Sequence, residues 1–366
     1  MRGNFAMVLA VGVAAGAALL MWDDGTGEER GGFVEPGPRD AGPDGTVPGR
    51  GNEREVRVPN PGTSDDDRPR ETAPPGAAAV ISKVRTHLRS KRPDLAAAEI
   101  LKADAGVLAD SVLRREVFRT ATALRAAAPR ATGDVGTRRL LQARKLYSAL
   151  YDCEASTTSE LEAAFTASGD LHRSLVTSAA APDALVMRHK FKSGENLWTL
   201  RHGPWKTAGI SVASGFVLRV NGLTDARRIR AGQTLRIPRE SLSLLVRKDR
   251  FEATLLLGGS PVARFPVGLG TNDCTPEGHF KIETKLRKPT WSFNGRLIPY
   301  GDPDNVIGTR WMGFSDTESA QGIGIHGTSD ESSVGTAASL GCIRMKQVDV
   351  ERLFEWVPRG CEVEIR

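Results

Sequence analysis

Only four cysteines occur in 366 residues, Cys153, Cys274, Cys342 and Cys361, and none stands in a CxxC pair or at Cys/His ligand spacing. That excludes a structural zinc site or a dense disulfide framework as the basis of folding, and spacing alone chooses no pairing among Cys153, Cys274 and Cys361. Aromatic residues are scarce, at 6%, and no basic block is interleaved with them, so the formal charge of +6 does not describe a nucleic-acid groove. Acids and bases alternate along most of the chain, and a polyanion partner would be wall polymer or lipid headgroups. Beyond residue 22 there is no long apolar run. Ordinary hydrophobic cores must therefore hold the chain, and its length predicts two or three of them.

Residues 5–22 (FAMVLAVGVAAGAALLMW) form one uncharged apolar run behind Arg2 and ahead of Asp23 and Asp24. The run approaches the roughly 20 residues that cross a bilayer as a helix, so 1–22 reads as an uncleaved signal anchor that places the rest in the cell envelope, outside the cytoplasm. Residues 23–77 are Gly, Pro, Asp, Arg and Thr with almost no large apolar side chain, the composition of a disordered tether. Residues 78–184 change to Ala, Leu and Arg with helical spacing, as in Leu95, Ile100, Leu101 and Leu108, then Leu140, Leu141, Leu146 and Leu150. Asp94 and Ser159 are candidate helix starts, and Gly133 to Gly136 is a break. No clean repeat period runs through this region, which reads as a helical spacer or docking domain whose protein partners the residues do not name.

Residues 188–239 contain HKFKSGENLWTL, FVLRVNGLTD and IRAGQTLRIP, three pieces whose spacing fits strand, helix, helix, strand. Gly194 and Gly232 permit tight turns, and Asn221-Gly222 ends the second helix. Trp198 reads as a core residue. Together the three pieces resemble the LysM carbohydrate-binding module, an α+β fold of βααβ order. The resemblance implies a glycan groove near Gly194, Glu195 and Asn196 on one side and Asn221, Gly222 and Leu223 on the other. The segment 202–214 is longer than is usual for that family.

After Pro238 the pattern becomes strand-like, in LSLLVR, FEATLLLG and PVARFPVG. The chemistry concentrates in GIGIHGTSDESSVGTAASLGCIRM, residues 322–345, where His326 and Cys342 stand sixteen positions apart around a glycine-punctuated loop. A cysteine is nucleophilic as the thiolate, an imidazole can take its proton, and backbone N–H groups can hold the oxyanion that follows. Gly341 removes a side chain where substrate and backbone must approach, and permits a φ that other residues resist. His279, the competing histidine, sits in a GHFKI strand pattern and reads as a surface residue.

IHGT followed by SLGCIRM resembles the signature of L,D-transpeptidases of the YkuD type. FPVGLG, TPEGHFKI, KPTW and NVIGTRWMGF upstream, and VDVERLFEWVPRGCEVEI downstream, extend the resemblance over 242–366. It implies a mainly-β catalytic domain in which Cys342 is the nucleophile, His326 the base and the Gly327 carbonyl its orienter. Gly341 and Cys342, with Leu340, would supply oxyanion N–H groups, Ser339 would shape the loop, Arg344 would fix the loop or face a substrate carboxylate, and Thr328 would meet substrate. Leu340 stands where many members have a second histidine, and Asn305-Val306 where they have Asn-Pro. The implied reaction is a cysteine-dependent 3→3 cross-linking of peptidoglycan stems, without metal or organic cofactor and open to carbapenem acylation at Cys342. The alternatives are an L,D-carboxypeptidase, a protein-to-wall attachment enzyme, or a wall-binding protein without catalysis. The fold expected for the whole is multidomain: anchor, tether, helical region, LysM-like module and mainly-β catalytic domain.

Overall fold

The computed structural model describes residues 32–34, 76–131, 134–293, 295–317 and 320–366, so the apolar run at 5–22 lies outside the described residues. Among the described residues, no helix is long and apolar enough to cross a membrane. The first element, β1 (Gly32–Val34), pairs in parallel with Thr290–Phe293, which corrects the reading of 23–77 as wholly unstructured: three of its residues form strand hydrogen bonds.

Five helices follow: α1 (Ala77–Arg89), α2 (Pro93–Lys102), α3 (Ser111–Ala127), α4 (Val135–Asp152) and α5 (Thr158–His172). Their starts have local causes. Pro93 takes the first position of α2, where its missing N–H costs nothing, and Asp94 falls in the first turn instead of opening the helix. The Asp110 carboxylate caps α3 through the N–H groups of Val112 and Leu113. The start expected at Ser159 lies two residues earlier, where Thr157 and Glu160 form a reciprocal capping box. Of the break expected at Gly133 to Gly136, Gly133 lies outside the described residues, Asp134 caps α4 and Gly136 is inside its first turn. Val84, Leu113, Val117, Leu124, Leu146, Leu150 and Leu171 pack between these helices, whereas Leu101 is exposed.

A smaller unit comes next: β2 (Val186–Lys190), α6 (Leu197–His202), a short α7 (Pro204–Thr207), α8 (Ser214–Val220) and β3 (Thr234–Pro238), with β2 and β3 antiparallel. The order strand, helix, helix, strand is the one expected, with α7 filling the long 202–214 segment. Its core is separate and includes Leu197, Leu200, Trp205, Val217, Leu235 and Ile237. Trp205 is the buried indole; Trp198, read as core, is instead 38% exposed.

The remainder is mainly β: β4 (Leu242–Arg247), β5 (Glu252–Leu257), β6 (Ser260–Pro266), β7 (Leu269–Gly270), β8 (Gly278–Arg287), β9 (Thr290–Phe293), β10 (Arg296–Ile298), β11 (Arg310–Phe314), β12 (Gly324–Gly327), β13 (Ala337–Ser339), β14 (Ile343–Met345), α9 (Gln347–Trp356) and β15 (Glu362–Ile365). Eight strands form one mixed sheet in the order β14-β12-β11-β8-β15-β4-β5-β6. The two ends of this sheet approach each other, because Gly268, just after β6, exchanges both backbone hydrogen bonds with Arg344 on β14. The edge at β14 is thereby covered.

The helical bundle is fixed to the β4–β6 edge by buried polar side chains. Arg144 of α4 donates to both Glu240 carboxylate oxygens (2.7 and 2.6 Å), to Ser260 Oγ (2.7 Å) and to the Leu257 carbonyl (3.1 Å). The Tyr151 hydroxyl donates to Glu252, and the Arg264 guanidinium lies 3.9 Å from the centre of the Phe165 ring while pairing with Glu162. Bundle and sheet share one continuous hydrophobic core, so the region is not a loose spacer. Removing one partner of a buried ion pair leaves the other charge desolvated. Arg144→Ala is therefore expected to lower stability by about 3 kcal/mol, read by chemical denaturation, with the bundle and sheet signals still melting together.

Candidate active site

Parallel pairing of β12 with β14 sets Ile325 opposite Ile343 and His326 opposite Arg344. Side chains alternate along strands and paired residues share a face, so His326 and Arg344 lie on one side of the sheet, and Cys342 immediately precedes β14. On the other flank of β12, Trp311 of β11 pairs with His326, and their rings stack with centroids 6.0 Å apart. Gly324 leaves room for that indole: a Cβ there would sit 2.7 Å from Trp311 Cη2.

His326 is 3% exposed and Cys342 fully buried. The imidazole Nδ1 lies 2.5 Å from the Gly327 carbonyl. A carbonyl only accepts, so Nδ1 carries the proton and Nε2 keeps the lone pair. Burial pushes the imidazole down from 6.5 to about 4, against the opposing effect of the Gly327 bond and with a smaller push from the Arg344 charge. His326 is thus a neutral acceptor at neutral pH with no carboxylate behind it. The Cys342 thiol lies 3.7 Å from the Gly322 carbonyl.

The loop before Cys342 is locked by two hydroxyls. Ser339 Oγ accepts from the Gly341 N–H (3.1 Å) and donates to the Cys342 carbonyl (2.6 Å). This corrects the expectation for Gly341, whose N–H is committed inside the loop and does not face a substrate oxyanion. Thr275 Oγ1 accepts from the Gly270 N–H (2.7 Å) and donates to the Gly341 carbonyl (3.0 Å). That bond fixes the peptide plane whose other end is the Cys342 N–H. Gly341 has φ +129°, a conformation L side chains rarely adopt, and Leu340 beside it is 46% exposed.

Other assignments shift. The Thr328 hydroxyl is spent on its own turn, with the Asp330 N–H and carbonyl, and does not reach outward to substrate. In the smaller unit, Asn221 binds the Val217 and Arg236 carbonyls and the Arg236 N–H, tying α8 to β3; it is structural. Glu195 pairs with His189 and accepts from the Lys192 N–H, and Asn196 caps α6 through the Thr199 N–H. Gly194 and Gly222 adopt positive φ at their turns. Glu195, Asn196 and Leu223 nevertheless line one cavity, with Trp198. His279 is an exposed strand residue. No disulfide joins any of the four cysteines; burial pushes the Cys361 thiol up to about 12, which keeps it protonated. Three contributors went unread in the sequence: Trp311, Thr275 and Gln347. Gln347 Oε1 accepts from the Thr309 N–H and hydroxyl, and its Nε2 donates to the Thr328 carbonyl, joining two strands beside His326. Trp311 and Thr275 lie in motifs already noted, but only as pattern, and Gln347 stands between two of them. Among the described residues, no cluster of His, Cys, Asp and Glu could hold a metal ion.

A buried imidazole and a buried thiol joined by a glycine-punctuated loop in a mainly-β domain are the parts a cysteine-dependent acyl-transfer domain needs. Residues 242–365 match the family model described as the L,D-transpeptidase catalytic domain. YqjB of Bacillus subtilis, an L,D-transpeptidase by name, is 39% identical over 125 residues, covering 33% of this chain and 69% of its own. YkuD of the same species, likewise so named, is 28% identical over 187 residues, 49% of this chain and 99% of its own. A solved structure of L,D-transpeptidase 3 from Mycobacterium tuberculosis aligns at 15% identity and a TM-score of 0.29, over 38% of this chain and 76% of that one. The chain belongs to the L,D-transpeptidase family.

Thr275→Val is expected to cost about 1–3 kcal/mol, because it strands the Gly270 N–H and Gly341 carbonyl in a buried place, and Thr275→Ser to recover most of it, by denaturant titration. A second expectation concerns pH. Unfolded His326 binds its proton near 6.5 and folded His326 only near 4. Between these values the unfolded state holds more protons, so the contribution is full above pH 6.5 and is lost as pH falls toward 4. His326→Gln should therefore shrink the stability loss between pH 7 and 4.5 by about 2 kcal/mol in paired denaturation curves.

Proposed function

We propose that this protein is a peptidoglycan L,D-transpeptidase that forms 3→3 cross-links through a thioester on Cys342. The observation that supports the reading is the buried His326 imidazole, protonated on Nδ1 toward Gly327, on a strand that pairs in parallel with β14, whose first residue directly follows the buried Cys342. His326 Nε2 takes the thiol proton as sulfur attacks the carbonyl of the stem's third residue. The C–S bond forms, the amide C–N bond breaks, and D-alanine leaves with the proton that His326 returns. An amine of a neighbouring stem then attacks the thioester, loses its proton to His326, and the thiol is regenerated. The Cys342 N–H, set by the Thr275–Gly341 bond, is the oxyanion donor this loop favours. Arg344, on the face that carries His326, is suited to a substrate carboxylate.

Such a reaction belongs in the envelope, with residues 5–22 as the anchor and 35–75 as reach into the wall. The βααβ unit is the candidate glycan holder. The likeness to YkuD extends over 187 residues, further than 242–365 alone, and so takes in sequence on its N-terminal side. Water as acceptor would make the same thioester an L,D-carboxypeptidase step, and a protein amine would make it wall attachment.

Full-length protein incubated with tetrapeptide muropeptide, and separately with a carbapenem, is expected to gain the drug's mass on Cys342 and to release D-alanine with dimer formation. Cys342→Ala should do neither, as read by intact mass and product chromatography. Shortened monomers without dimers would indicate water as acceptor. An unmodified thiol with unchanged muropeptide would overturn the enzyme reading.

A further inference from the structure

The helical bundle α1–α5 is electrically polar from end to end. Arg139 of α4 donates to both Asp94 carboxylate oxygens and to the Ala127 carbonyl, which brings the start of α2, the end of α3 and the start of α4 to one end. Arg89, Lys91, Arg92, Arg130 and Arg138 stand exposed there, on those segments and on the turn from α1 to α2. None of the five is in an ion pair or side-chain hydrogen bond among the described residues. Of the carboxylates at this end, Asp94 is taken by Arg139, and Asp170 by Arg125 and Arg173, which leaves Asp134. The opposite end is acidic. Asp104, Asp110, Asp152, Glu154 and Glu160 gather where α4 ends and α3 and α5 begin, a junction held by Arg114, which donates to Glu160 and to the Leu108 and Ala109 carbonyls. Charges of opposite sign thus face away from each other across about 20 Å, the length of α1.

The turn from α1 to α2 shows that the basic end is built at a cost. The Arg92 N–H bonds back to the His87 carbonyl, and Lys91 between them has φ +55°, a helix-end position at which glycine is usual. The strain is met by no contact of the lysine side chain inside the fold, which points to a partner outside it. Cations spread over three chain segments suit an array of phosphates, and each adds an attraction that fades within a Debye length. A bilayer is within range. While β1 stays paired with β9, residues 23–31 span at most about 30 Å from the apolar run at 5–22.

We propose that the basic end of the bundle docks on anionic phospholipid, with the acidic end turned away, and so orients the catalytic domain to which the bundle is fixed. The nearness of the bilayer rests on the anchor reading above; the charge pattern does not. The test uses the full chain in bilayer discs of phosphatidylcholine alone, or of phosphatidylcholine and phosphatidylglycerol in equal parts, treated with a lysine-acylating reagent and read by peptide mass spectrometry. Lys91 reports on the basic end, and Lys102, exposed where α2 ends at the opposite pole, is the internal reference. In anionic discs the labelling of Lys91 relative to Lys102 is expected to slow about tenfold, and to recover at high salt. Arg89→Gln, Arg92→Gln, Arg130→Gln and Arg138→Gln combined should abolish that protection while leaving the reporter lysine and the melting curve as they are. Equal ratios in the two lipids, or protection that survives the four substitutions, would overturn the docking face. Protection by a soluble phosphodiester wall polymer, with none from anionic lipid, would assign the face to the wall and overturn membrane docking. A chain that fails to enter neutral discs sinks the anchor reading alone, because the Lys91 ratio with added vesicles of the same two compositions still decides the docking.

Discussion

The strands β12 and β14 run parallel, and parallel neighbours cannot be joined by a tight turn; they need a crossover of a dozen or more residues. Here that crossover is residues 328–342, and its return leg is the Ser339–Cys342 loop. One topological requirement thus produces both the strand pair that carries His326 and Arg344 and the long connection that ends at Cys342. The crossover in turn needs anchoring. It obtains this from β13 pairing in parallel with β7, from the Gly268–Arg344 bridge, and from Thr275 and Ser339. Glycines recur along these contacts because backbone meets backbone: a Cβ on Gly270 would stand 3.0 Å from the Gly341 Cα, and one on Gly268 would stand 2.4 Å from the Ser333 carbonyl oxygen.

Electrostatics at the site follow from the same enclosure. A buried imidazole without a carboxylate neighbour is easier to keep neutral than charged, and the positive Arg344 on the adjacent strand adds to that preference. The Gly327 carbonyl supplies orientation without a full negative charge, so Nε2 remains an acceptor across the physiological range. A triad acid would favour the imidazolium instead; the resting state here favours the free base.

What the sequence made legible was local or motif-borne. The His326 and Cys342 segments, the surface placement of His279 and the strand-helix-helix-strand order each depend on neighbours within a few residues or on a contiguous pattern. The helical bundle's attachment was not legible, because Arg144, Tyr151 and Arg264 look like solvated helix or strand residues until the partner element is known. Trp198 and Trp205 could not be told apart by composition, since only the inserted α7 decides which indole the small core receives. The commitment of the Gly341 N–H to Ser339 was equally hidden. A hydroxyl two residues before a glycine has several backbone groups within reach, and rotamer and loop conformation choose among them.

Helix α9 draws these levels together. It packs on the sheet, and its two ends carry separate duties that its sequence pattern does not display. Gln347 at the start stitches the Thr309 and Thr328 segments beside His326. At the other end Lys285 of β8 donates to the Phe354 and Val357 carbonyls, at 2.6 Å each, a cation at the helix C-terminus where unpaired carbonyls and the dipole favour it. Burial pushes that ammonium down to about 8, so it still carries its charge at neutral pH. Clamped at both ends, α9 cannot slide along the sheet without breaking one set of bonds, and it packs on the face of β12 that carries Gly327, opposite the face that carries His326.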